Sequence, residues 1–260
     1  MRAISLAKFE EGIINEDAAI AKKEVIAVSD GAGGGGVFAD LWSKYLVEHL
    51  PDKPIKNYKA FDKWIDGIWE PFYNDCEEKA KVEGGMFLNK FYDEGSFATL
   101  VAVWNNGQWV SYGDSVAFCY HRKTGLLQHS FTKVVDFNNP PYLINCKDPL
   151  EKKGFRHGRF EIDDDSIVFV ASDTLAHYIL MMYELAHKDQ FAEELQEAID
   201  AQTKNSNFIK TGMRLRKRDF DKDVIQKLED CKYKQHLTSH IGRLKRWELI
   251  GHDDYSIAIL

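Results

Sequence analysis

Short apolar runs of period two alternate along this chain with longer stretches of helical period. Val25–Ser29, Phe97–Trp104, Trp109–Tyr112, Val116–Tyr120, Ser166–Ala171 and Tyr255–Leu260 are β-branched or alternating segments bounded by turn residues, and they read as strands. The opening segment Met1–Lys8 reads as a further strand. Helical periodicity covers Val37–Leu50 and Tyr58–Lys81, with Pro51 and Pro54 marking the break between them. Further helices are predicted over Leu175–His187, Gln190–Ala201, Phe220–Asp230 and Gln235–Leu244. Asn105-Asn106-Gly107 lies between two strands and is a hairpin turn signal. The segment Asp136–Gly158 carries Asn138-Asn139-Pro140-Pro141 and no period, so it reads as a long surface excursion of the kind that often carries function. Without a repeat or a low-complexity linker, residues 1–260 read as a single α+β domain whose strands pair antiparallel under helix pairs.

Composition narrows the class. An apolar share of 44% supports a sizeable core, and an aromatic share of 13% makes that core bulky. No stretch reaches the roughly 18 apolar residues that span a bilayer. The first apolar run is too short for a signal-peptide core, so a soluble, cytoplasmic protein is expected. Cys76, Cys119, Cys146 and Cys231 lie far apart with no CxxC spacing; they read as reduced and buried, with disulfides or zinc left as the alternative. The basic stretch Arg214-Leu215-Arg216-Lys217-Arg218 reads as a solvated loop or helix end. A net charge of −7 argues against general nucleic-acid binding. An acidic chain that handled anions would need bound cations to invert the local field.

The acids themselves fall in a pattern. Asp30 follows Val25–Ser29, Asp114 follows Trp109–Gly113, and Asp173 follows Ile167–Ser172. Glu16 and Asp17 precede Ala18–Ala21, and Asp253 and Asp254 precede Tyr255–Leu260. Any one of them is satisfied as a turn residue or a helix cap. Five distant groups at strand ends are a different matter, because antiparallel neighbours gather strand ends onto one rim. Bunched carboxylates repel, and partial burial disfavours their charged forms, so such a rim calls for hard cations. Oxygen-only ligands suit Mg²⁺ or Mn²⁺ rather than Zn²⁺. Two such ions about 4 Å apart lower the pKa of a bridging water and clamp a phosphoryl oxygen. Asp30 opens the run Gly31-Ala32-Gly33-Gly34-Gly35-Gly36, where glycine lets backbone carbonyls approach a metal closely. A flexible loop leading into a helix, or a dinucleotide loop, is the alternative; the glycine spacing of the latter is wrong.

In chain order these pieces resemble the protein phosphatase 2C, or PPM-type, serine/threonine phosphatases of bacterial type. Asn15-Glu16-Asp17 resembles the NED motif, Asp30-Gly31-Ala32-Gly33-Gly34 the DGxGG motif, and Gly95-Ser96-Phe97-Ala98 the GSTA-type strand opening. Gly113-Asp114-Ser115 is similar to the GDS motif, Ser172-Asp173-Thr174 to the SDG motif, and Asp253-Asp254-Tyr255-Ser256 to the closing DDxT or DNxS strand. The resemblance implies a four-layer αββα sandwich of two antiparallel sheets flanked by helices, with two divalent cations, Mg²⁺ or Mn²⁺, at one end. It implies that Asp30 bridges both ions, that the Gly31 carbonyl binds one, and that Asp173 and Asp253 hold the other. Glu16 and Asp17 would position metal-bound waters, and Asp114 with Asp173 matches the place of a weaker third ion. The implied reaction is in-line attack of the metal-bridging water on a phosphorylated protein, without a phosphoenzyme, in signalling.

Three positions depart from the pattern. Gly12 stands three residues before Asn15, where members carry an arginine that grips the phosphate. Lys8, Arg156 and Arg159, with His157, are the candidate replacements. Thr174 replaces the glycine of SDG, and Ala32 occupies the place of a histidine found in many eukaryotic members. The competing readings are a phosphatase-like binding or regulatory module with little turnover, motivated by Gly12 and Thr174, and another two-metal enzyme such as a nuclease or small-molecule phosphatase. The acidic net charge weighs against the nuclease.

Overall fold

The computed structural model describes residues 1–215 and 219–260, so residues 216–218 of the basic stretch lie outside the described residues. Two five-stranded antiparallel sheets form the centre. The first runs in the order β1 (Arg2–Leu6), β12 (Tyr255–Ile259), β11 (Ser166–Ala171), β7 (Val116–His121), β8 (Leu126–His129). The second runs β10 (Phe155–Arg159), β6 (Gln108–Tyr112), β5 (Leu100–Trp104), β3 (Val25–Ser29), β2 (Ala18–Ala21). A two-residue ladder joins β4 (Phe97–Ala98) to β9 (Ile144–Asn145).

The period of two explains how these strands serve both faces. In β3, Ile26 and Val28 point between the sheets toward Val168, Val170 and Ala258, whereas Val25 and Ala27 point outward. Over that outer face lie α1 (Ala39–Glu48), α2 (Tyr58–Asp66), α3 (Trp69–Glu83) and α4 (Gly85–Glu94), contributing Trp42, Leu46, Phe61, Phe72 and Phe91. Over the other sheet lie α5 (Asp173–Ala186), α6 (Ala192–Asp200), α7 (Lys204–Met213), α8 (Gln226–Asp230) and α9 (Lys234–Arg246). The architecture is therefore helix, sheet, sheet, helix, as expected. No helix among the described residues is long and apolar enough to cross a membrane. All four cysteines are buried free thiols, and burial pushes Cys119 and Cys231 up to about 11.

Where the elements differ from the periodicity, a local cause is visible. The helix expected over Tyr58–Lys81 is two helices, parted at Gly67 and Ile68. Pro71 cannot sit inside a continuous helix, because its ring would meet the carbonyl four residues back; in the first turn of α3 it is tolerated. The run Phe97–Trp104 is split at Thr99, which leaves β4 and β5 in different sheets. The excursion Asp136–Gly158 is only partly a surface loop, since it contains β9 and most of the edge strand β10. Phe220–Asp230 begins with a π-helical turn, Asp221–Ile225, before α8.

The helix α7 shows little apolar period. The buried face of α7 consists of Ser206, Ile209 and Gly212, so two of its three inward positions are not hydrophobic. What starts α7 is a capping box: the Thr203 hydroxyl accepts from the Ser206 amide at 3.4 Å, and the Ser206 hydroxyl accepts from the Thr203 amide at 3.0 Å. The Thr203 hydroxyl also donates to Asn138 Oδ1 at 2.7 Å. Thr203→Ala should lower stability by about 1 kcal/mol in urea unfolding; an unchanged midpoint would mean that packing alone holds α7.

Candidate metal centre

The ends of β3, β6 and β11, and the starts of β2 and β12, bring Asp30, Asp114, Asp173, Asp17 and Asp253 into one another's field. Asp30 is part-buried at the end of β3. Loss of solvent pushes its carboxyl well above the usual range, and Asp17, Asp173, Asp114 and Asp253 push it further. Asp17, 7% exposed, is pushed well up by burial, Asp173 and Asp254, against the hydroxyls of Ser172 and Ser256. Burial, with Asp173 and Asp253, lifts Asp114 to about 7. Burial and Asp253 lift Asp173 to about 6, against hydrogen bonds from Thr174 and Asp30. Glu16 rises through burial and the nearby charges of Asp254 and Asp40, opposed by Lys8 and the Gly33 amide.

Each acid is held by its surroundings rather than by its rotamer alone. Asp254 accepts the backbone N–H of Lys8 at 2.7 Å with Oδ1 and that of Glu16 at 2.6 Å with Oδ2. One buried carboxylate thus ties together both ends of the segment that contains Gly12. Asp253 keeps a looser setting, its Oδ1 accepting, among the described residues, only the Asp254 amide at 2.9 Å. Asn15 Oδ1 accepts the Asp17 amide at 3.2 Å. Asp173 opens α5, with Oδ1 accepting the Thr174 amide.

The glycine loop has a steric reason. A Cβ at Gly31 would lie 2.5 Å from the Glu16 carbonyl and 2.7 Å from that of Ala39, and one at Gly33 would fall on the Glu16 carboxylate. Glu16 therefore packs where a side chain on the loop would be. Gly12 has a φ of +78° with open space around it. An arginine there would fit the space but strain the backbone.

Thr99 is a positioning residue that periodicity hides within an apolar run. Its hydroxyl meets Ser115 Oγ at 2.7 Å and accepts the Asp30 amide at 3.2 Å, and its own amide donates to the Asp30 carbonyl at 2.8 Å. It therefore couples the turn at Asp30 to the turn at Asp114. His177, one helical turn beyond Asp173, is buried, and its Nε2 has no hydrogen-bond partner among the described residues. Its spacing of four from Asp173 is the one signal that points to it.

The candidate phosphate cations separate clearly. Lys8 acts on Glu16. Arg156 acts on Asp114, donates to the Gly113 carbonyl and lies 4.9 Å over the Phe131 ring. It lines a cleft of about 250 Å³ with Asp114, Asp136, Tyr142 and Lys153. Arg159 does not join them. It sits at the other end of β10, opposite Gln108, with Nε on the Asn106 carbonyl at 3.2 Å in the hairpin. His157 is exposed on β10 and stacks on Phe155.

The chemistry of the donor set fits hard divalent cations: the donors are carboxylate oxygens, and the buried Asp17 Oδ2 has no hydrogen-bond partner among the described residues. Among those residues no three His, Cys, Asp or Glu side chains are drawn into a ready-made cage. Asp17, Asp173 and Asp253 have each taken local hydrogen bonds, and Asp30 shares one with Asp173.

Two predictions follow from these electrostatics. Because Asp17, Asp30, Asp114 and Asp173 hold protons more tightly when folded, the native state binds more protons than the unfolded chain. The contribution of Asp114 to stability is therefore lost as pH rises from about 4, the ordinary carboxyl value, to about 7, its value in the folded chain. In chelator, Asp114→Asn should flatten the fall in thermal midpoint over that interval and raise the midpoint above it; an unaltered pH slope would refute the repulsion. Asp254→Ala should cost at least the ~1.5–3 kcal/mol of one charge-assisted hydrogen bond, read by urea unfolding.

No protein-family model matches the chain, and no curated protein matches it in sequence. Solved structures do match in three dimensions. The catalytic domain of the serine/threonine protein phosphatase PstP, in complex with two manganese ions, is 14% identical at a TM-score of 0.51, covering 99% of this chain and 95% of its own. The serine/threonine phosphatase Stp1 of Staphylococcus aureus is 13% identical at 0.50, covering 99% and 93%. The PPM Ser-Thr phosphatase MsPP of Mycobacterium smegmatis, in complex with cacodylate, is 12% identical at 0.51, covering 99% and 96%. Over nearly its whole length, the chain has the fold of the bacterial PPM-type serine/threonine phosphatases.

Proposed function

We propose that this protein is a Mg²⁺- or Mn²⁺-dependent phosphatase that hydrolyses phosphoserine and phosphothreonine esters on proteins. The observation that carries the reading is the field around Asp30, where Asp17, Asp114, Asp173 and Asp253 all oppose its charge. Evolution of a purely structural rim has no need to hold four acids against a fifth, whereas cation binding does. The fold and the two manganese ions of the PstP catalytic domain add support.

Asp30, the Gly31 carbonyl, Asp173 and Asp253 would hold two such ions. Asp114, next to Asp173, would contribute to a weaker third site. When bound, such ions lower the pKa of water and stabilise charge on phosphoryl oxygens. Glu16 and Asp17 would orient water by hydrogen bonding. Arg156 and Lys8, the two cations that act on these acids, would hold the phosphate in place of the arginine missing at Gly12. The phosphoester reacts directly with water: an oxygen–phosphorus bond forms in line as the bond to the serine or threonine oxygen breaks, and that oxygen leaves with a proton.

Purified protein with millimolar Mn²⁺ should release phosphate from phosphopeptides, and Asp30→Asn should reduce this to the level of a chelated control. Arg156→Gln should lower kcat/KM roughly ten- to a hundredfold, mainly through KM. The left-handed, cation-free Gly12 favours one other reading, a phosphopeptide-binding module. Calorimetry that found phosphopeptide binding without turnover would establish that module and remove the enzyme.

A further inference from the structure

A second cavity lies among the outer helices, away from the acid rim. It encloses about 220 Å³ between α5, the π-helical turn leading into α8, and α9. Its walls are mainly apolar, with Tyr178 and Met182 from α5, Leu244 from α9, and Leu249 beyond it. Such a wall alone would accept any greasy fragment. Three further features make it selective.

His240 contributes to the cavity lining at only 4% exposure, and its Nε2 has no hydrogen-bond partner among the described residues. An unpaired buried imidazole nitrogen is costly, by an amount comparable to a lost hydrogen bond, unless something supplies a partner. Burial and the neighbouring charges of Arg243 and Lys227 lower its pKa to about 4, so at neutral pH it is an uncharged group that can donate one hydrogen bond. Lys227 and Arg243 are themselves exposed and line the same cavity, and neither forms an ion pair among the described residues. The acid that also lines it, Asp223, already accepts the Asp219 amide at 2.9 Å. Two cations against one engaged acid leave the mouth positive.

We propose that this cavity is a binding site for a compact aromatic or alicyclic anion, its ring on Tyr178, Met182 and Leu244, its carboxylate or sulfonate between Arg243 and Lys227, and a polar atom at His240 Nε2. The size sets the class. Cavities for drug-sized ligands begin at about 300 Å³, so the occupant is a fragment of one or two rings. Charge complementarity distinguishes it from a neutral fragment, because a carboxylate gains charge-assisted hydrogen bonds that an alcohol of the same shape does not. The exposed Trp247 lines the same opening and offers a ring face to the ligand.

The test uses 2-naphthoate and its uncharged counterpart, 2-naphthalenemethanol, titrated by calorimetry into the full chain. Saturable binding of one naphthoate per chain, about tenfold or more tighter than the alcohol, is the expected result. Arg243→Gln and Lys227→Gln, both at exposed positions that leave the core intact, should each weaken naphthoate about tenfold and leave the alcohol unchanged. His240→Phe should weaken both, with circular dichroism confirming that the variant folds. No saturable binding, equal affinity for acid and alcohol, or indifference to both charge-removing variants overturns the site. The outcome is independent of whether the protein hydrolyses phosphate, since binding is read directly.

Discussion

Four aspartates set against a fifth at the mouth of an apolar sandwich is the constraint around which this molecule is built. Carboxylates taken from water lose hydration, and each neighbour of the same sign raises the cost of ionising the next. Asp30 experiences both effects from every side, being opposed by acids that begin or end strands in both sheets. Were the ends of the sheets free to relax, they would splay and the acids would reach solvent. They do not, because the sheets are clamped by the apolar layer of Ile26, Val28, Val101, Val168 and Val170 directly behind them. The hydrophobic core thus holds a polar arrangement that polar interactions alone would disperse.

The rim is further fixed by groups whose contribution is positional. Asp254 is spent on two backbone amides, which leaves Asp253 as the acid of that pair with oxygen to offer. Thr99 joins the turns of Asp30 and Asp114 through backbone and hydroxyl hydrogen bonds. The glycine loop exists in part to make room for Glu16, whose carboxylate occupies the volume that a side chain at residue 33 would fill.

The cleft around Arg156 gives the rim a direction. It opens beside Asp114 and is bounded by the segment between β8 and β10, which carries Phe131, Asp136 and Tyr142. The half-buried guanidinium sits over an aromatic ring, a setting that restricts its rotation. The helices beyond the first sheet make a second, chemically different cavity, in which cations outnumber the one acid and the walls are mainly apolar.

Much of this was readable from the chain. Period-two runs ending in acids identified the sheets and the residues at their ends, because alternation and strand-end turns are local properties of sequence. The order of the motifs led to the fold. Other features had no local signature: α7 buries Ser206 and Gly212 and so shows no stripe, and Thr99 looked like one more strand residue until two turns were found to meet on its hydroxyl. Arg156 and Arg159 were indistinguishable in sequence, three residues apart on one strand, yet the strand carries one to Gly113 and the other to the distant hairpin. Sequence determined which residues end strands and what chemistry they can offer. Only the tertiary structure decided which of them share a field, since the energy of a charge depends on its distance to other charges and to water, and chain order records neither.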